Sequence, residues 1–181
     1  MVLGPVATNS FLVGDTQSKS AVVVDPAWDG ELIVSEAARR DWHIDALWLT
    51  HAHFDHIGGV AAILRSVEPV PIVALHSLDF PLFSAQGGAP MFWMRIEPTP
   101  APSLRLKHGQ LLSLGEHTFE VRHCPGHTPG HVVFYCAGEK VVFCGDVIFE
   151  GSIGRTDLPG GDYSKLLESI QTQILTLPDD T

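Results

Sequence analysis

The run from Leu47 to Gly59 reads Leu-Trp-Leu-Thr-His-Ala-His-Phe-Asp-His-Ile-Gly-Gly, and it sets three histidines and one carboxylate, His51, His53, Asp55 and His56, within six positions. Neutral imidazole nitrogen and carboxylate oxygen are the donors that divalent ions such as zinc take, and carboxylate also suits manganese and iron. A lone histidine is ordinarily a hydrogen-bonded core or surface residue, whereas four such groups together are ligand density. Ala46 to Leu49 is apolar and reads as a short buried strand, and the apolar spacing from Ile57 onward predicts a helix. The polar run therefore occupies a strand-to-helix loop. Extended backbone turns alternate side chains the same way, so His51 and His53 share a direction, while Asp55 and His56 at the helix start aim at a second point nearby. Two pairs of donors suggest two adjacent metals.

The bulk of the chain fits a globular protein. Its 181 residues are 45% hydrophobic, enough for a sizeable core, and the length favours one domain over residues 1–181. Eleven basic against twenty-one acidic residues give a formal charge of −10, and no basic stripe is present to neutralise phosphates, so nucleic acid is not an expected partner. No apolar run reaches the ~20 residues of a membrane span, and the start of the chain lacks a charged leader followed by an apolar stretch. Cys124, Cys136 and Cys144 make neither a paired framework nor a Cys-x-x-Cys pattern. A soluble, reduced, cytoplasmic setting is the expectation, with the thiols as small buried groups.

Periodicity outlines the rest. Phe11 to Asp15 and Ser20 to Val24 predict a hairpin ending at Asp25-Pro26, where Asp25 is either a turn former or a support for the metal loop. Glu31 to Arg40 has helical spacing, and Val70 to Leu75 reads as a strand. From Ser77 to Pro102, prolines and the Gly87-Gly88 pair break the pattern, which predicts an irregular or short-helical excursion, either a lid or a pinned surface segment. Leu104 to Leu114 and Thr118 to His123 alternate as strands of a second sheet, His131 to Cys136 and Val141 to Cys144 predict another hairpin, and Tyr163 to Leu175 a final helix.

His51-Ala-His53-Phe-Asp55-His56 is a complete His-x-His-x-Asp-His motif, and the chain thereby resembles the metallo-β-lactamase fold superfamily. Later landmarks follow in that family's order: His127 in Cys-Pro-Gly-His-Thr-Pro-Gly-His, and Asp146 in Cys-Gly-Asp. The segment Gly151 to Gly161 is similar, more narrowly, to the single-domain glyoxalase II-like hydrolases. The resemblance implies an α/β fold, a four-layer αββα sandwich. It implies one ion on His51, His53 and His127, a second on Asp55 and His56, and Asp146 shared. The expected cofactors are two divalent ions, zinc first, with iron or manganese as substitutes. The expected reaction is attack of a metal-bridging hydroxide, oriented by Asp55, on a glutathione thioester such as S-lactoylglutathione. Arg155 occupies the place of a basic residue that binds the glutathione carboxylate, and an ion pair with Asp157 or Asp162 is its alternative. Members of the family continue past a Leu-Pro-Asp-Asp-Thr-like run into one more strand and a Gly-His motif, so that strand is expected beyond Thr181. Persulfide dioxygenases share the pattern and use one iron on the positions of His51, His127 and Asp146, which makes sulfur oxidation the alternative activity. A non-catalytic metal-binding module is a third.

Overall fold

A computed structural model describes residues 1–181. The first sheet has five strands in sequence order: β1 (Phe11–Gly14), β2 (Ser20–Val24), β3 (His43–Trp48), β4 (Ile72–His76) and β5 (Leu104–Leu106). β1 and β2 form the expected antiparallel hairpin, and every later pairing is parallel. Parallel neighbours require crossovers. These are α1 (Gly30–Arg39), the pair α2 (Phe54–Ile57) and α3 (Val60–Ser66), and an excursion that contains α4 (Phe80–Ser84). The second sheet is antiparallel, with β6 (Leu111–Leu114), β7 (His117–His123), β8 (Val132–Cys136) and β9 (Val141–Phe143) as consecutive neighbours. The last helix, α5 (Tyr163–Ser169), continues into a turn of π-helix over Ile170–Ile174.

Strand alternation makes the layers. Val23 and Leu47 face the helices, in a core with Ile33, Ala37, Val60 and Ile63, while their neighbours Val22, Val24, Ala46 and Trp48 face the second sheet. There Trp48 meets Phe119 edge-on, with ring centroids 5.1 Å apart. Within β8, Val132 and Phe134 turn inward and Val133 turns outward onto Leu166 of α5. The order helix, sheet, sheet, helix is the expected four-layer α/β sandwich.

One expectation needs correction. Leu104 to Leu114 is not a single strand of the second sheet, because Gly109 has φ of +74° and turns the chain. Its first part becomes β5, paired with β4 in the first sheet, and only its last part, β6, joins the second.

Strand direction decides where the polar loops meet. β2, β3 and β4 run the same way, so the residues that follow them, Asp25, His51 to His56 and Asp79, emerge at one edge. β7 and β9 are each antiparallel to β8 and so share a direction, and they lead into the His127 loop and Asp146. The backbone N–H of Val132 donates to Thr50 O at 2.8 Å, which joins the two sheets at this edge.

Candidate metal centre

Each ligand loop leaves its strand under fixed constraints. Asp25 takes φ of +51° directly after β2, and its carboxylate accepts from Thr50 N and Thr50 Oγ1, both at 2.7 Å, and from His56 Nδ1 at 2.9 Å. It is both the turn former and the support that the sequence offers as alternatives. Gly145 sets Asp146: it has φ of +50°, and a Cβ there would stand 2.5 Å from Thr50 Oγ1 and 2.8 Å from His131 Nε2. Only glycine fits such a conformation so close to its neighbours.

The side chains converge as two groups, His51 with His53 and His127, and His51 with His56 and Asp146. His53 Nδ1 lies 2.8 Å from His127 Nε2, which is 3.2 Å from His51 Nε2. Donor atoms on a tetrahedral ion with ~2.0–2.1 Å bonds stand roughly 3.3 Å apart, so this spacing is that of a coordination shell. Asp146 reaches both groups, with Oδ1 3.2 Å from His56 Nε2 and Oδ2 3.3 Å from His127 Nε2. Asp55 belongs to neither triplet, yet its Oδ2 is 3.5 Å from His56 Nε2 and accepts from Thr8 Oγ1 at 2.8 Å.

Proton placement tests whether these residues fit a metal. His127 Nδ1 faces the carbonyl oxygen of Arg155 at 2.7 Å, so Nδ1 carries the proton and Nε2 presents a lone pair. Thr50 Oγ1 spends its hydrogen on Asp25, so at 3.0 Å it accepts from His51 Nδ1, and His51 Nε2 is again a lone pair. His56 donates from Nδ1 to Asp25, which aims its Nε2 at the carboxylates of Asp146 and Asp55, a place for either a proton or a metal ion. Acceptors facing acceptors in a buried space repel unless a cation lies between them. The fixed second nitrogen is also the usual device for orienting a ligating imidazole.

The electrostatics agree. Burial, then the charges of neighbouring imidazoles, hold His51 far below the ordinary histidine value and His53 down to about 3, so both stay neutral and able to ligate. Burial also lowers His127, against the opposing pull of Asp146. For His56 burial is again the largest influence and a lowering one, but Asp25 and Asp146 outweigh it and lift the group well above its usual value. Asp146 is held below the carboxylate range by His56 and His127 despite burial. This corner attracts positive charge.

Several residues stand apart from the candidate ligands. His131 is fully buried, stacks on His51 at 4.7 Å and accepts from Asp146 N at 3.0 Å, so it supports rather than ligates. Arg155 lends its carbonyl to His127, while its guanidinium forms a two-pronged pair with Asp157 at 2.7 and 2.8 Å. Burial raises the thiols of Cys124 and Cys144 to about 12 and about 11, leaving them protonated and unreactive. No helix is long and apolar enough to cross a membrane. A cleft of about 530 Å³ opens beside Asp55, His56 and Asp146, with Phe11, Phe143 and Phe149 also in its walls. Sequence reasoning missed Thr8, Thr50 and Asp79, whose roles arise only when distant loops meet.

A model of the metallo-beta-lactamase superfamily matches residues 3–181. The chain belongs to that family. A hydroxyacylglutathione hydrolase of Haemophilus influenzae, GloC, is 38% identical over 174 residues, which are 95% of this chain and 81% of the relative. Among solved structures, the BLEG-1 B3 metallo-beta-lactamase superposes with a TM-score of 0.90 at 39% identity, covering 98% of this chain and 85% of that one. TTHA1623, in a di-iron-bound form, gives 0.87 at 37% identity, with coverage of 98% and 86%. The chain is a glyoxalase II-like metallohydrolase with a histidine-rich site for divalent metal.

Proposed function

We propose that the chain hydrolyses a thioester, with glutathione thioesters such as S-lactoylglutathione as the substrate class, at a centre of two divalent ions, zinc foremost and iron or manganese as substitutes. The observation that carries this reading is Asp146, whose two oxygens divide between the nitrogen of His56 and that of His127. The Haemophilus relative named as a hydroxyacylglutathione hydrolase supports the substrate class, and the di-iron form of TTHA1623 supports two ions.

His51, His53 and His127 would hold one ion, Asp55 and His56 the other, and Asp146 both. Bound there, the pair would supply a water ionised near neutral pH and a Lewis acid for the carbonyl and the departing thiolate. Asp55, fixed by Thr8, would accept a hydrogen bond from the attacking water and aim it. His51, His53 and His127, held neutral, bring no competing positive charge to the first ion. Arg155 would exchange Asp157 for a substrate carboxylate. The exchange is cheap because both partners are exposed to solvent, which screens the pair.

His51 Nε2 and Asp146 Oδ2 stand 3.2 and 3.3 Å from His127 Nε2, which keeps persulfide oxidation at a single iron on these three as the second reading. The test is hydrolysis of S-lactoylglutathione by this chain, beside a version extended through one further strand, with metal counted in each. Two ions with thioester turnover support the proposal. One iron with oxygen consumption on glutathione persulfide supports the alternative, and metal without either activity overturns both.

A further inference from the structure

Asp79 lies in the turn after β4, outside every motif that suggested chemistry, and its side chain is completely buried. Its Oδ2 accepts from Ala52 N at 3.1 Å and Thr128 Oγ1 at 2.7 Å, and its Oδ1 from Gly130 N at 2.6 Å. Ala52 separates His51 from His53, Thr128 follows His127, and Gly130 precedes His131. One carboxylate thus holds the two loops that carry all three imidazoles of the first group, and those loops come from different sheets. Burying a carboxylate is costly, and three donors offset the cost only while both loops keep their places.

We propose that Asp79 is a positioning residue that sets the distance between the His51–His53 pair and His127, and thereby the metal affinity of the first group. The proposal rests on the reading that these three histidines hold an ion. Asp79→Asn keeps the shape but supplies one acceptor oxygen and an NH₂ group. Whichever way the amide turns, it sets a donor against the N–H of Ala52 or that of Gly130. Thr128→Val removes a single bond and leaves the carboxylate in place.

The measurement is zinc affinity by chelator competition on the full chain, with the melting temperature of the metal-free form beside it. Affinity is expected to fall 10–100-fold in Asp79→Asn, the usual effect of removing an outer partner of a ligand, and by a smaller factor in Thr128→Val. A merely structural role would lower the metal-free melting temperature and leave affinity unchanged, and that result overturns the assignment. If Asp79→Asn fails to fold, Thr128→Val decides alone, and parental affinity in it overturns the assignment. Neither readout involves thioester turnover, so an inactive parent that binds zinc leaves the positioning role to be judged by affinity. A parent that binds no metal removes the centre and Asp79's role together.

Discussion

The two halves of the candidate metal centre are made of different material. The first group is three imidazoles on loops from both sheets, with His51, His53 and His127 at 0%, 7% and 2% exposure, held from behind by Asp79. In the second, His56 is as deeply buried, but its carboxylate partners Asp55 and Asp146 keep 21% and 24% of their side-chain surface at the rim of the cleft. Geometry in the first half is fixed by backbone N–H groups converging on one buried acid. In the second it depends on a relay from Asp25 through His56. A rigid half suits holding an ion, and a more open half suits admitting water and substrate.

The largest expected effect comes from breaking the first half. His53→Ala removes one of three converging nitrogens while leaving both sheet cores intact, so circular dichroism should stay native and turnover should drop to background. Metal content should fall with it. Retained turnover would mean that the first half is not where the reaction is supported.

Asp25→Asn attacks the second half through its relay. The carboxylate oxygen that accepts from His56 Nδ1 also accepts from Thr50 Oγ1, and an amide nitrogen there would push the His56 proton onto Nε2, the atom facing Asp146. Affinity for the second ion should fall about 10–100-fold, and that for the first by a smaller factor, because Asp25 touches His56 directly and reaches His51 only through Thr50. Equal loss of both ions in a titration would refute the division into halves. A smaller effect is expected outside both. Arg155→Ala should raise KM for a glutathione thioester about tenfold, the loss of one charge-assisted contact, and leave kcat nearly unchanged. An unaltered KM would return Arg155 to its pairing with Asp157.

The contrast between halves also explains what could be read from the sequence. The clustering of candidate ligands was legible because His51 to His56 are contiguous, and a strand-to-helix loop constrains where they point. His127 and Asp146 were legible only by motif order, since nothing local brings them to His51. The layers followed from alternation in Val22 to Val24 and Val132 to Phe134. The split of Leu104 to Leu114 did not, because an alternating run says which residues face inward but not which sheet it joins. Asp79 was invisible for a related reason. Its partners are 27, 49 and 51 residues away, and a lone aspartate in a proline-rich excursion looks like any turn residue.

The smallest predicted effect probes the scaffold behind the first half. His76, at the end of β4, stacks on His123, at the end of β7, with centroids 4.3 Å apart, and so joins the strands that lead to Asp79 and to the His127 loop. Burial, and then the neighbouring His123, lowers His76 to about 4 from an ordinary value of 6.5. The folded chain therefore keeps His76 neutral, and the unfolded chain takes up the proton first. The contribution is complete above pH ~6.5 and is lost as pH falls from there towards 4. The ring is half-exposed, so solvent screening leaves on the order of 1 kcal/mol, about 2–4 °C of melting temperature in a chain of this size. The other buried histidines add proton linkage of their own, and comparing metal-free parent with metal-free His76→Asn at each pH cancels it. The parent's advantage in melting temperature should be about 1–2 °C larger at pH 7.5 than at pH 5, where part of the loss has yet to occur. A difference constant between the two would mean that the stack contributes packing and no proton linkage, and that acid loosens the centre through its ligands alone.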